Sequence, residues 1–403
     1  MKNIVIVGGG ASGLVAAIMA ARQKNRVTVL EHKDRIGRKI LATGNGKCNY
    51  TNLLQLPECY RCNDSAFPTK VLSCFDVNRT INFFRELGIY PKERNGYVYP
   101  NSEQASSVAE VLRLELKRLK VRTDCEVHAE QIHKKKSGFE IITDKGSYAA
   151  DCVILAAGGC ASPSLGSDGS GYRLAKELGH TVIKPLPALV QLKSPEKYFK
   201  TLAGVRTEAN IKLYTDEECE AAEQGELLIT AYGVSGIPVF QLSRFASRAL
   251  YEGKTVTLRI DFLPSLSWKE TYELMSERVK RSADNTIEEA FIGLLNNKLA
   301  YVCLKESGIS PDMPCTSADK KQITKMVNRI KAWSVPISEP NTFEQAQVCT
   351  GGVNVAEVDP ETIESRLVKG LYITGELLDV DGTCGGYNLQ WAWSTGAIAG
   401  MNC

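Results

Sequence analysis

The chain has 403 residues, of which 43% are hydrophobic and 24% charged; this balance sets aside disordered and fibrous classes and makes two or three domains the expectation. Forty-nine basic and 46 acidic residues leave a net charge of +3, so no global charge calls for nucleic acid or an acidic membrane as partner. No run approaches the roughly 20 apolar residues that span a bilayer, and the apolar stretch at 4–7 is too short for a signal-peptide core. A cytoplasmic protein is expected. In chain order, residues 4–7 (Ile-Val-Ile-Val) read as a buried strand, 14–21 as an Ala-rich helix and 27–30 as a second strand ending at Glu31. Short apolar strands flanking a helix imply a parallel sheet covered on both faces.

From Val71 the pattern is helical to Leu87, and a second helix carries Val108, Val111, Leu112, Leu116 and Leu119 on one face. Strands follow at 139–142 and 153–157, with Lys134, Lys135 and Lys136 in a solvated turn before them, and then a helix over 172–178 with Gly179 as its stop. After Pro185 and Pro187 the character becomes β-rich, at 211–214, 227–230 and 255–262. Helical patterns dominate between Trp268 and Trp333, and strand character returns at 371–374.

The thirteen cysteines are scattered and odd in number, which reads as reduced thiols rather than a disulfide framework. Cys59 and Cys62 have redox or zinc spacing, but no second close pair accompanies them. The four histidines (His32, His128, His133, His180) are dispersed, so no metal site is expected.

The chemistry is concentrated in glycine-rich turns. Gly8-Gly9-Gly10-Ala11-Ser12-Gly13 is a G-x-G-x-x-G directly after a strand and opening a helix. Gly8 permits the tight turn, Gly10 lets backbone approach a pyrophosphate and Gly13 lets the helix pack on the sheet. The helix N-terminus, with Ala11 and Ser12, supplies N–H groups and partial positive charge for the phosphates. Glu31, followed by His32, ends the second strand where a carboxylate accepts ribose hydroxyls. Next comes a polar loop over 37–52, with Arg38, Lys39, Thr43, Gly44, Gly46 and Asn49, suited to a pyrophosphate and a flavin ring. This points to non-covalently bound FAD. Gly385-Gly386-Tyr387-Asn388 precedes an Ala/Gly-rich helix whose N-terminus suits negative charge at a flavin's N1/O2 edge.

On these residues the chain resembles the bacterial flavoprotein family that includes aminoacetone oxidase-type enzymes, and it is similar to clostridial flavoproteins of bile-acid dehydroxylation pathways. The resemblance continues through Glu126-Val127, Leu155 to Gly159, Gly169 to Tyr172, Gly233 to Pro238, Gly375 to Gly382 and Gly385 to Gln390. It implies that Glu31 holds the ribose, that Lys39, Thr43, Gly44, Gly46 and Asn49 line pyrophosphate and flavin, and that Val127 reaches the adenine by backbone. It further implies a strand-end contact at Ala157-Gly158, a ribityl and phosphate contact at Gly375, Glu376 and Asp381, and Gly386, Tyr387, Asn388 and Leu389 under the isoalloxazine. The histidine expected before the Gly-Val-Ser-Gly segment is missing, since Leu228 to Gly233 contains none. A proton-transfer role therefore does not carry over; Tyr232 is read as a packed tyrosine.

The implied architecture is α/β: a Rossmann-like, two-dinucleotide-binding-type FAD domain over 1–186 and 341–403, an inserted mixed β domain over 187–264 and 334–340, and a helical subdomain, its cap, over 265–333. Cys48, Cys349 and Cys384 fall in flavin-proximal motifs, but with no partner cysteine at fixed spacing they read as packing thiols, and no catalytic residue is named. With only one complete G-x-G-x-x-G, NAD(P)H would dock transiently rather than own a domain. The expected function is an FAD-dependent oxidoreductase acting on a small organic substrate, leaning to NAD(P)H-dependent reduction of a conjugated C=C in a steroid-like enone. The alternatives are an O2-dependent amine oxidase, an RNA-modifying protein or a non-catalytic flavin binder.

Overall fold

The computed structural model describes residues 1–403. The chain divides into two compact units, Met1–Leu186 with Ala346–Cys403, and Pro187–Gln345.

In the first unit, five strands form an all-parallel sheet in the order Leu371–Ile373, Cys152–Leu155, Asn3–Val7, Arg26–Glu31, Arg122–Cys125. Ile4, Ile6, Val29, Val153 and Leu155 are buried, as a sheet covered on both faces requires. A three-stranded antiparallel sheet (Ala129–Lys134, Phe139–Thr143, Gly146–Ala150) accompanies it, with the lysine cluster at the turn between its first two strands. The helical run from Val71 is two helices, Ala66–Cys74 and Val77–Glu86. The second restarts at Asp76, whose side chain accepts from the Arg79 N–H.

Two helices from opposite ends of the chain pack against each other in this unit. Ala11–Arg22 crosses Tyr387–Asn402 at two small residues of the latter. A Cβ on Gly396 would lie 2.2 Å from the Ser12 carbonyl oxygen, and one on Gly400 would lie 2.4 Å from that of Ala16. The Ala/Gly pattern of the last helix is thus a close backbone crossing, and it brings the C-terminal segment beside the first turn.

The second unit is a seven-stranded sheet, antiparallel throughout, in the order Trp333–Ile337, Val256–Asp261, Arg206–Thr215, Glu218–Thr230, Gly233–Ser235, Leu192–Lys193, Glu339–Pro340. The helix Ile237–Tyr251 packs on it. This helix was not expected from sequence; Pro238 stands in its first turn, where a missing N–H costs nothing. The helices between Trp268 and Lys331 share one hydrophobic core with the sheet, through Met275, Val279, Met326, Val327 and Trp333. The structure therefore draws the 265–333 segment and the β-rich segment as one body, with its return edge at Gln345. No helix is long and apolar enough to cross a membrane.

Candidate functional site

The first turn is built by close approach. Gly8 has φ +110°, and a Cβ there would sit 2.4 Å from the Ala156 carbonyl oxygen and 2.9 Å from the Ala157 Cα. A Cβ on Gly13 would sit 2.0 Å from the Gly8 carbonyl oxygen, so Gly13 closes the turn first and packs on the sheet second, 3.2 Å from the Ala156 Cβ. At Gly10 the opposite holds: an added Cβ meets nothing within 4 Å. Gly10 is also the N-cap of the helix Ala11–Arg22, and no side chain caps it. Open space therefore faces an uncapped helix N-terminus, the condition for receiving a phosphate. Ser12 is engaged elsewhere, its Oγ accepting from the Thr374 hydroxyl at 3.1 Å.

Glu31 is buried at the end of its strand. Its carboxylate accepts the Gly9 N–H at 2.9 Å and the Lys33 N–H at 2.8 Å, one on each oxygen. These bonds aim the carboxylate beside the turn and leave further lone pairs for ribose hydroxyls. His32 Nδ1 lies 3.3 Å from Glu31 Oε1, while its buried Nε2 has no hydrogen-bond partner. The Val127 N–H is spent on the Glu31 carbonyl, so only its carbonyl remains for an adenine.

In the loop over 37–52 the expected residues separate into three groups. Arg38 turns outward to pair with Asp34 at 3.1 Å. Lys39 turns inward: its Nζ donates to Glu376 Oε2 at 2.8 Å and to the Ala161 carbonyl at 3.0 Å. Thr43 bonds back to the Ile40 carbonyl. Gly44, Asn45 and Gly46 run consecutively through left-handed backbone (φ 56°, 54° and 82°), and a Cβ on Gly46 would meet only open space. Asn49 is buried with its Oδ1 unpartnered, 2.9 Å from where a Gly386 Cβ would be. An orphaned buried amide oxygen beside an uncapped helix N-terminus asks for a donor from a ligand.

Gly158 (φ +74°) ends the second strand-loop, with its Cβ position 3.2 Å from Ser167 Oγ; Ala157 is half-buried beside it. Gly375 is fixed by three bonds or near-contacts: its N–H donates to Thr395 Oγ1, its carbonyl accepts from the Trp391 indole, and its Cβ position lies 2.7 Å from Ser12 Oγ. Glu376 holds Lys39 with one oxygen and accepts the Cys349 N–H at 2.9 Å with the other. Asp381 is buried in a short strand paired with Arg61.

Gly386, φ +95°, is the uncapped N-cap of the last helix, and a Cβ there would stand 2.7 Å from the Thr51 carbonyl oxygen. Of the residues expected under a flavin ring, Asn388 spends its side chain on Gly382, accepting its N–H and donating to its carbonyl, both at 2.8 Å. Its contribution to a ligand is therefore its backbone. The Tyr387 ring stacks edge-on against Tyr60 at 5.7 Å, and Leu389 is half-buried. Below them Gln390, fully buried, is saturated by Thr51, Thr80 and Ser394. Sequence reasoning missed this polar brace; a glutamine on an otherwise apolar helix was its only signal.

The cysteines divide as well. Cys48 is buried, and its thiol is pushed up to about 12 by that burial against a hydrogen bond from Thr43, so it is no thiolate. Cys62 is likewise pushed up to about 12 by burial. Cys384 is half-buried. Cys349 acquires a neighbour that spacing could not reveal: the Cys160 N–H donates to its Sγ at 3.1 Å. Tyr232, expected to be packed, is 41% exposed, with its hydroxyl 3.4 Å from Asn341 Nδ2. No cluster of three or more His, Cys, Asp or Glu side chains stands in metal-binding proximity.

The parallel sheet, the glycine turn against Glu31 and the open, uncapped helix ends define a dinucleotide-binding Rossmann-class protein, and the residues present fit FAD. A family model described as "HI0933-like protein Rossmann domain" matches residues 2–402, and the chain belongs to that family. It is 47% identical over 402 residues to a 3-dehydro-bile acid delta(4,6)-reductase of Clostridium scindens, covering 99% of this chain and 98% of that protein. It is 30% identical to a ribosomal RNA dihydrouridine synthase of Haemophilus influenzae (97% of this chain, 96% of that protein). A protein of the same name from Escherichia coli is 28% identical, with 98% and 96% covered.

Proposed function

We propose that this chain is an FAD-dependent reductase acting on a C=C bond conjugated to a ketone in a steroid-like substrate, with NADH or NADPH as donor, in the cytoplasm. The observation that carries the reading is 47% identity, over 99% of this chain, with a protein named as a delta(4,6)-reductase of a 3-dehydro-bile acid. When bound, FAD supplies a two-electron carrier from which a hydride reaches a substrate carbon. The protein's own residues bind and orient. Glu31, preset by the Gly9 and Lys33 N–H groups, takes the ribose. The helix end at Gly10 to Gly13 and the left-handed run at Gly44 to Gly46 face the phosphates. Lys39, held by Glu376, would offer its ammonium to the same phosphates. The N-terminus of Tyr387–Asn402, with the unpartnered Asn49 Oδ1 next to it, would hold the ring end: its partial positive charge would favour the reduced, more negative form, and the amide oxygen would offer an acceptor.

A second reading is favoured by the two synthase relatives, whose name also denotes adding two hydrogens across a C=C. The basic helical face of the second unit is its structural support, and much of that face is already used. Arg278 donates to the Ala290 and Ile292 carbonyls, Arg329 to that of Glu306, and Lys331 pairs with Asp261. Lys269 and Arg281 pair with Glu273 and Glu277 along their own helix. Arg278 and Arg329 keep their charge on neutral carbonyls, but carboxylates interleave with the cations along this face, and the reductase relative is the more similar at 47% against 30% identity, so the steroid-like substrate is preferred.

Anaerobic stopped-flow on the purified holoprotein tests the choice. NADH or NADPH should bleach the flavin absorbance, and a 3-oxo-4,6-diene steroid should restore it. Bleaching by aminoacetone with reoxidation by O2 would replace the reading with an oxidase. Reoxidation by unmodified ribosomal RNA but not by the steroid would replace it with the RNA reading.

A further inference from the structure

Cys160 lies just beyond the strand Cys152–Leu155, and Cys349 is the second residue of Val348–Val353, 189 positions away. The Cys160 N–H donates to Cys349 Sγ at 3.1 Å, and both thiols are free. Two glycines make room for the pair. A Cβ on Gly169 would fall 2.8 Å from Cys160 Sγ, and one on Gly159 would fall 3.1 Å from Cys349 Sγ and 2.9 Å from Glu376 Oε1. The partners are unequal: Cys160 is half-buried, whereas Cys349 is 1% exposed. The neighbouring Cys349 side chain holds the Cys160 thiol below the ordinary cysteine value, against burial and the Glu376 charge. The Cys160 side chain, together with burial, pushes Cys349 well above it, with Lys39 pulling slightly the other way. An accessible, more acidic thiol in front of a buried, less acidic one is the arrangement that favours attack by the first and resolution by the second.

We propose that Cys160 and Cys349 are a redox-active dithiol that a low-molecular-weight disulfide converts into an intramolecular disulfide, and that closing it weakens cofactor binding at the adjoining Lys39–Glu376 pair. The Cys160 thiolate attacks one sulfur of the small disulfide and expels the other as a thiolate, giving a mixed disulfide. The Cys349 thiol, losing its proton, attacks the Cys160 sulfur and expels the second small thiol. The protein loses two electrons and two protons, and the small disulfide becomes two thiols. The coupling to the cofactor runs through the Cys349 N–H, which donates to Glu376 Oε1 while Oε2 holds Lys39. Drawing Cys349 onto Cys160 disturbs that bond and frees Glu376 from its position. This second half rests on the FAD reading given above; the first half does not.

The test is peptide mapping of the purified full-length protein after incubation with oxidised glutathione, with the exposed Cys219 as internal reference. The expected result is a disulfide-linked peptide pair containing Cys160 and Cys349, with two thiols lost beyond any glutathione carried by Cys219. In Cys349→Ser, glutathione should stay trapped on Cys160; in Cys160→Ser, position 349 should remain unmodified. The dissociation constant for FAD should rise on the order of tenfold on oxidation, the cost of one charge-assisted hydrogen bond, and return on reduction, with no such change in Cys160→Ser. Glutathione on Cys219 while Cys160 and Cys349 stay thiols overturns the dithiol. A linked pair with unchanged FAD affinity overturns the coupling. Reduced protein that never binds FAD sinks the flavin reading while leaving the peptide map to decide the dithiol.

Discussion

Two charged clusters in the same unit, His180–Glu357–Ser365 and Lys39–Glu376–Cys349, are built from similar groups and come to opposite ends. In the first, His180 Nδ1 bonds to Glu357 Oε2 and Nε2 to Ser365 Oγ, each at 2.9 Å. Its outline is that of a hydrolytic triad, but every position in it is filled. The Ser365 oxygen also accepts the Leu367 and Val368 N–H groups, and Glu357 accepts the Thr181 N–H. His180 and Ser365 are buried, and only the Glu357 carboxylate keeps some exposure, at 16%. In the second cluster Lys39 and Glu376 keep 27% and 19% of their side chains exposed, and the loop that carries Lys39 goes on to Gly46, where an added Cβ meets only open space, and to Asn49, whose buried oxygen has no partner. A complete network is a brace; an incomplete one waits for a ligand.

The comparison can be broken most violently at the turn between the strand Asn3–Val7 and its helix. Gly13→Ala places a methyl 2.0 Å from the Gly8 carbonyl oxygen, against backbone that cannot move without undoing the turn. We expect loss of FAD retention and a stability loss above about 3 kcal/mol, read from bound flavin and a urea midpoint. A variant that keeps its flavin would show that the turn does not hold it.

His180→Ala should separate brace from site. It strips a part-buried carboxylate and a buried hydroxyl of their shared partner, costing about 2–4 kcal/mol in chemical denaturation, while FAD affinity stays unchanged. The pH dependence carries a sign. Burial, only partly offset by Glu357, lowers the His180 pKa below the ordinary 6.5, so the unfolded chain binds the proton first. Stability should fall as pH drops below about 6.5 and level off below the depressed folded value. His180→Gln should lose that slope. A wild-type stability that rises on acidification through this range contradicts a neutral, buried imidazole.

What could be read in the sequence was what is local. The Gly8 to Gly13 turn, Glu31 eighteen positions beyond it and the helix after Gly386 are each specified within a short stretch, because steric and capping demands act over a few residues. What escaped is long-range. Lys39 meets Glu376 across 337 positions, and Cys160 meets Cys349 across 189; no spacing rule reaches so far. Neighbouring residues of one motif also parted ways. Arg38 faces Asp34 and Lys39 faces inward, a consequence of successive positions pointing in different directions from one helical turn. The Asn388 side chain, which a motif would assign to the flavin, is consumed by Gly382. Similarly, the helix Ile237–Tyr251 hid behind a proline that reads as a breaker and acts as a starter.

The gentlest perturbation sharpens the comparison from the other side. Lys39→Met keeps the stem and removes the charge. Lys39 and Glu376 both keep some exposure, so water still reaches the freed carboxylate and the loss to folding should stay at about 1–2 kcal/mol, a small shift in melting temperature. FAD affinity should fall by about tenfold, measured by flavin fluorescence titration. A large loss of stability with unchanged affinity would make Lys39 a second brace.

The central claim is that the open cradle is a place for FAD, and the most direct measurement is the flavin content of the purified protein. The account predicts a yellow protein that releases close to one equivalent of FAD per chain on denaturation and takes it up again after removal. Folded protein that is colourless and shows no saturable uptake of added FAD would contradict it.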